Sequence, residues 1–156
     1  RWRHPRRGLM VPSEFLAVAE ETGLVVPIGQ WVLHEACRHA ASWVVEAEPA
    51  PTISVNVAPR QLEHDGFVND VRDALRASGL DPHRLVLEIT ESQIMRTPEL
   101  AKERLHALRA LGVRIAIDDF GTGYSSLSHL QFFPVDELKI DRSFVARVDD
   151  GDRGAS

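Results

Sequence analysis

The sequence predicts an α/β fold in which βα units build a parallel sheet, and three observations predict it. Short apolar runs recur as TISVNV (52–57), LVLEIT (85–90), VRIAID (113–118) and DELKID (136–141). Segments with a helical apolar period lie between the first three runs, marked by Phe67, Val71, Ala74 and Leu75 and then by Leu105, Leu108 and Leu111. Gly79 and Gly112 close those segments just ahead of the next run. Strand, helix, strand, helix at such spacings is the pattern of parallel pairing through helical crossovers.

Taken in order, the opening RWRHPRRG packs Arg1, Arg3, Arg6 and Arg7 around Pro5 and Gly8, and reads as a loop. Ser13, after Pro12, is the expected N-cap of a short helix through Glu21 that Gly23 closes. From Ile28 to about Glu46, apolar residues at Ile28, Trp31, Val32, Ala36, Ala40, Trp43 and Val44 predict one face of a long amphipathic helix. EPAPT breaks it before the first strand. Thr97 and Pro98 supply an N-cap and a first-turn proline for the helix ending at Gly112. A short helix is expected near Ser125–Leu130, and the tail DDGDRGAS reads as loop.

The chain of 156 residues is long enough for one domain with a real core, which at this size buries roughly 70% of its unfolded surface. Lys and Arg number 18 against 23 Asp and Glu, a net charge of −5 that argues against a nucleic-acid polymer as partner. The single cysteine, Cys37, rules out an internal disulfide framework and reads as packed core beside Leu33 and Ala41. No run reaches the length of a membrane span and no signal-peptide pattern opens the sequence, so a cytoplasmic location is the expectation. The seven histidines lack zinc-ligand spacing, and His34 and His39 read as surface residues. The three tryptophans read as structural, with Trp2 beside its arginines also placed to line a ligand mouth.

Alternate strand residues face opposite sides of a sheet. Ile53, Val55 and Val57 share a side; so do Leu85, Leu87 and Ile89; Val113, Ile115 and Ile117; and Leu138 and Ile140. Every strand therefore has one apolar face suited to packing under helices. Asn56, Glu88, Asp118 and Lys139 lie on the other face, at or near the C-terminal ends, where parallel barrels and doubly wound sheets place their sites. Asp119 is expected just beyond its strand, where the turn swings it toward the same point. Two adjacent carboxylates are tolerable with a cation between them. Three carboxylates and an amide oxygen form a hard donor set suited to Mg²⁺ or Mn²⁺. Adjacent acids also suit two ions about 4 Å apart, as in phosphoester hydrolysis, with Lys139 to orient the attacking water. Taken singly, each residue reads first as a strand-end cap or surface charge, and Glu91 as a tether for the loop beyond its strand; four at equivalent ends of consecutive strands together point to a site.

The motifs SVNVAPRQL, LEITES, IAIDDFGTGYSSL and FPVDELKIDRSFV, in this order, together with the opening RWRHPRRGLMVPSEFLAVAEETGLVVPIGQWVL, resemble the EAL domain. That family is the cyclic-di-GMP phosphodiesterase domain of bacterial signalling proteins. The resemblance covers nearly the whole chain. It implies a modified TIM-like (βα)₈ barrel and cleavage of cyclic di-GMP to pGpG with two Mg²⁺ or Mn²⁺ ions. By that resemblance Asn56, Glu88, Asp118 and Asp119 match metal ligands, and Lys139 matches the lysine acting on the attacking water. Glu91 matches the glutamate that holds the DDFGTGYSSL loop, Arg1 an arginine that meets substrate phosphate, and Asp141 lies near a guanine. The family also implies a homodimer formed around the 118–127 loop, and a parent protein with an adjoining GGDEF or sensory domain.

The sequence begins after the position of the namesake Glu-Ala-Leu and ends before a later catalytic glutamate of the family. Four strands are about half of a barrel of ~250 residues. The expectation is therefore the central part of an EAL domain, about four βα units, incomplete for catalysis by itself. An open half-barrel of this kind is expected to aggregate, exchange elements with a partner or depend on flanking segments. The alternative is a catalytically inactive EAL module that binds cyclic di-GMP or a protein partner.

Overall fold

The computed structural model of the chain describes residues 1–44, 49–121 and 132–140. Instead of a loop, the opening forms an antiparallel hairpin, β1 (Trp2–His4) and β2 (Gly8–Met10), with Trp2 opposite Met10. The basic residues fit because they sit in and beside a tight turn: the His4 Nδ1 accepts from the Arg6 and Arg7 backbone N–H groups, both at 3.1 Å. Gly8 takes a left-handed φ of 72° at the return. Trp2 packs edge-on against Phe15, with ring centroids 5.6 Å apart, and so ties the hairpin to the next segment.

Ser13 does not cap a helix. It lies inside a 3₁₀ turn (Pro12–Glu14), where Glu14 Oε2 accepts the Val11 N–H at 2.8 Å and takes over the capping role. Helix α1 (Leu16–Thr22) follows and ends at Gly23, whose φ of 77° is the left-handed cap the sequence suggests.

Helix α2 (Val25–Ala41) ends earlier than expected and buries a different stripe. Val25, Gly29, Leu33, Cys37 and Ala40 face the core, whereas Trp31 and Val44 are 65% and 82% exposed. The expected stripe followed the recurrence of apolar residues from Ile28 and shares only Ala40 with the buried one. The actual one follows how closely the helix must approach its neighbour: at Gly29 the backbone lies against the side chain of Gln61, leaving no room for a Cβ. Trp31 is therefore not a core residue. Trp43, partly exposed, lies under the Arg84 guanidinium at 5.9 Å, and Arg84 also donates to the Ala40 and Pro51 carbonyls. One side chain thus joins the end of α2 to the approach of the next strand.

From there the βα pattern holds. Strand β3 (Ile53–Asn56) leads through α3 (Pro59–Glu63) and α4 (Phe67–Ser78) to β4 (Leu85–Thr90). Helices α5 (Glu91–Arg96) and α6 (Pro98–Ala110) lead on to β5 (Arg114–Phe120), and β6 (Glu137–Ile140) is the last described strand. The four are parallel in the order β3-β4-β5-β6. A strictly sequential order is what consecutive barrel units give, since a doubly wound sheet reverses at a switch point. The short helices α3 and α5 carry signals in the sequence: Pro59 stands at a first-turn position, and Thr90 with Gln93 forms a capping box.

Helices α2, α4 and α6 cover one face of the sheet. Leu33, Cys37, Phe67, Val71, Leu105 and Leu108 enclose Val55, Leu85, Leu87, Ile89, Ile115 and Ile117 in one core. The expected apolar faces of the first three strands are thus buried. On β6, Leu138 and Ile140 are instead 45% and 64% exposed. The strand is anchored at its start by Asp136, whose Oδ2 accepts the Ile115 N–H at 2.9 Å and whose carboxylate pairs with Arg109. The expected helix at Ser125–Leu130 and the tail lie outside the described residues. No helix among the described residues is long and apolar enough to cross a membrane.

Gly29→Ala would gain about 1 kcal/mol of helix propensity, yet it displaces Gln61, which is buried and accepts the Ala58 N–H at 3.1 Å. Overpacking at about 1–3 kcal/mol plus a lost hydrogen bond of about 1 kcal/mol outweighs the gain. Denaturant melts of this variant should show a net loss of stability. Cys37 offers a second check: burial pushes its thiol up to about 11. Alkylation at neutral pH should run about a hundredfold slower than in denaturant, where the thiol returns to its ordinary range.

Candidate active site

Register fixes which side chains can meet. Asn56 pairs with Glu88, Glu88 with Ala116, and Ala116 with Glu137, forming one row across four strands. Glu88 stands in the middle of the sheet and its side chain is only 7% exposed. Lys139, two residues along β6 from the end of that row, ion-pairs with Glu88 Oε1 across the intervening strand β5. Strands lie about 4.8 Å apart, so the bridge spans two strand spacings. The residue of β5 level with Glu88 is the fully buried Ala116.

The pair has consequences for both groups. Burial disfavours the charged Glu88, but the Lys139 hydrogen bond, the neighbouring Ser54 hydroxyl and the attraction of the ammonium together hold its pKa below the ordinary carboxylate value. The Lys139 ammonium is held above its ordinary value first by its hydrogen bond to Glu88. Desolvation opposes this, and the charges of Glu88, Asp118 and Glu137 add to it. Asp118 is thereby placed in electrostatic reach of Lys139. Glu137 is itself paired with Arg114 at 2.5 Å.

Asp119 is inside β5 rather than beyond it. Ile117 pairs with Leu138 and Phe120 with Ile140, so β5 carries one residue more than β6 over this stretch, a bulge at Asp118–Asp119. Asp119 adopts a φ of 54°, a left-handed conformation that Asp tolerates better than most residues. The bulge breaks strict alternation, so these two aspartates are not bound to opposite faces of the sheet. Glu91, 2% exposed in the first turn of α5, accepts the Gly121 N–H at 3.0 Å and so holds the chain leaving β5.

Asn56 is exposed at the end of β3, and Arg1 is exposed ahead of the hairpin. Asp141 and most of the 118–127 loop lie outside the described residues. The open depression lined by Gly23, Val26, Arg60, Glu63, His64 and Arg96 includes none of the strand-end residues.

The oxygen-only donors Asn56, Glu88, Asp118 and Asp119 fit Mg²⁺ or Mn²⁺ in chemical type. Among the described residues, no three His, Cys, Asp or Glu side chains converge closely enough to hold an ion as they stand. One Glu88 oxygen is instead engaged by Lys139.

A family model described as the EAL domain matches residues 1–156. The chain belongs to the EAL domain family. It is 50% identical over 145 residues to the bifunctional diguanylate cyclase/cyclic di-GMP phosphodiesterase MucR of Pseudomonas aeruginosa, covering 93% of this chain and 21% of that protein. The solved phosphodiesterase structure of PaMucR in complex with c-di-GMP superposes with a TM-score of 0.88 at 48% identity, covering 96% of this chain and 60% of that one. The EAL domain of FimX from Pseudomonas aeruginosa bound to c-di-GMP gives 0.85 at 29% identity, over 96% and 59%. This chain spans about a fifth of the length of the curated relatives it matches, 17–21% of the first three.

In this EAL domain chain the sequence did not single out Ser54 or Glu137, although each acts on the Glu88–Lys139 pair. Ser54 carried a signal, since it shares the face of Asn56 one pleat earlier.

The pair also sets a pH window. Glu88 is depressed, so its contribution to stability is present above the ordinary carboxylate value and lost as pH falls through its lowered value. Lys139 is raised, so its contribution is present below the ordinary ammonium value and lost as pH rises through its raised value. Thermal melts of metal-free protein should show stability from this pair at neutral pH that declines on both limbs. Glu88→Gln should flatten the part due to the pair.

Proposed function

We propose that this chain carries the strand-end machinery of a cyclic-di-GMP phosphodiesterase, hydrolysing cyclic di-GMP to linear pGpG with two Mg²⁺ or Mn²⁺ ions. The observation that carries the reading is the Glu88–Lys139 pair, with Asp118 in reach, at the C-terminal ends of neighbouring parallel strands. It occurs in a chain 48% identical to a phosphodiesterase solved with c-di-GMP. Asn56, Glu88, Asp118 and Asp119 would hold the ions. Ions held there would supply a lowered pKa for a bound water and positive charge toward the phosphoryl oxygens.

The chain's own residues supply the rest. Lys139 keeps its proton at neutral pH and donates from Nζ to orient the attacking oxygen. Asp118 and Asp119, at the bulge, present carboxylates at the rim of the sheet. Glu91 fixes the start of the loop after β5 through Gly121, and the 118–127 region would meet a second copy in a homodimer. Arg1 would meet a substrate phosphate and Asp141 a guanine. Further GGDEF or sensory domains would adjoin this part in a longer protein, and the site would face the cytoplasm.

One observation favours a second reading, a module that binds cyclic di-GMP or a protein partner without turnover: a ligand oxygen of Glu88 is already engaged by Lys139.

Incubation of the full-length protein with cyclic di-GMP and Mg²⁺ or Mn²⁺, followed by chromatography, should yield pGpG. Asp118→Ala should lower the rate by about a hundredfold or more, since even outer-shell partners of a metal are worth about 10–100-fold. Binding without product would favour the second reading, and neither binding nor product would sink both.

A further inference from the structure

We propose that Lys139 is the resident counter-ion of the metal-free site, and that a divalent ion enters by exchange with its ammonium at Glu88. This rests on the two-ion reading above and extends it to the state before metal binds. A carboxylate buried in the middle of a sheet must have a positive partner or become protonated. Without a bound ion, the partner that the fold provides is the Lys139 Nζ, paired directly with Glu88 Oε1. The same oxygen cannot be given fully to a metal while the ammonium holds it.

The two partners are unequal in freedom. The Glu88 side chain is 7% exposed and sits between Asn56 and Ala116 in the register of the sheet, so it stays in place. The Lys139 side chain is 40% exposed, on the edge strand β6, with a flexible stem. Exchange therefore moves the lysine and leaves the carboxylate where it is. Asp118 and Glu137 are close enough to stabilise the ammonium, and Arg114 already neutralises Glu137. The released ammonium thus remains among acids near the site and does not leave it. In this arrangement Lys139 holds Glu88 in place in the metal-free protein, and its departure opposes ion binding.

Two readouts separate this from simple repulsion between lysine and metal. Lys139→Met should lower the melting temperature of the metal-free chain, because Glu88 loses its partner. It should also tighten Mn²⁺ binding, followed by the electron spin resonance of free Mn²⁺, by about tenfold, the worth of a hydrogen bond to a charged group. In a Glu88→Gln background, the same Lys139→Met change should leave the metal-free melting temperature nearly unaltered. This second background also serves if the single variant folds poorly.

An unchanged metal-free melting temperature in Lys139→Met would overturn the counter-ion role. Mn²⁺ binding by wild type that Lys139→Met fails to tighten would overturn the exchange alone. No Mn²⁺ binding by either form would overturn the exchange together with the two-ion reading, while the melting comparison still decides what Lys139 does for Glu88.

Discussion

A carboxylate buried in the middle of a parallel sheet is the constraint on which the site depends. Glu88 occupies a position whose strand neighbours, Val86 and Ala116, are buried and apolar on the same face. Ionised and alone it would be costly there, by several kcal/mol for an unpaired charge. Lys139 resolves this from two strands away. The charge pair therefore depends on the order β4-β5-β6 and on the register across it. These strands do not lie close to one another in sequence.

The remaining features shape the rim around that pair. The bulge at Asp118–Asp119 lengthens β5 by one residue relative to β6 and frees the second aspartate from strand alternation. Just beyond it, Glu91 on α5 grips the Gly121 N–H, so the end of β5 is held from the neighbouring βα unit. The two devices act on consecutive residues. One sets where the aspartates stand, and the other sets the direction in which the chain leaves them. The opposite face of the sheet has a simpler task, burying Val55, Leu87, Ile89, Ile115 and Ile117 under α2, α4 and α6. A rigid apolar underside allows the upper face to hold charges in a fixed register.

The outer helices show how packing distance overrides side-chain size. In α2 Trp31 faces outward while Gly29, Leu33, Cys37 and Ala40 face the core, because Gly29 must pass against Gln61. Arg84 then fastens the end of that helix to the approach of β3 through two carbonyls and Trp43. The hairpin at the start follows the same logic: a run of arginines tolerates strand pairing because His4 satisfies the turn and Trp2 packs on Phe15.

The sequence by itself determined the βα order, the four strands, the core faces of α4 and α6, and the strand-end positions of Asn56, Glu88, Asp118 and Lys139. These follow from local periodicity, with period 2 in strands and 3.6 in helices, which the chain displays wherever a segment is read. From its residues alone Glu91 read as a tether for the loop beyond its own strand; its hold on Gly121, at the end of β5, matches what the family resemblance implied. Tertiary structure alone decided the inward face of α2, the hairpin, the bulge that brings Asp119 into β5, and the pairing of Glu88 with Lys139 across β5. Each of these depends on which segments become neighbours and how closely they approach. That information lies in distances between residues far apart in sequence, where no local pattern records it.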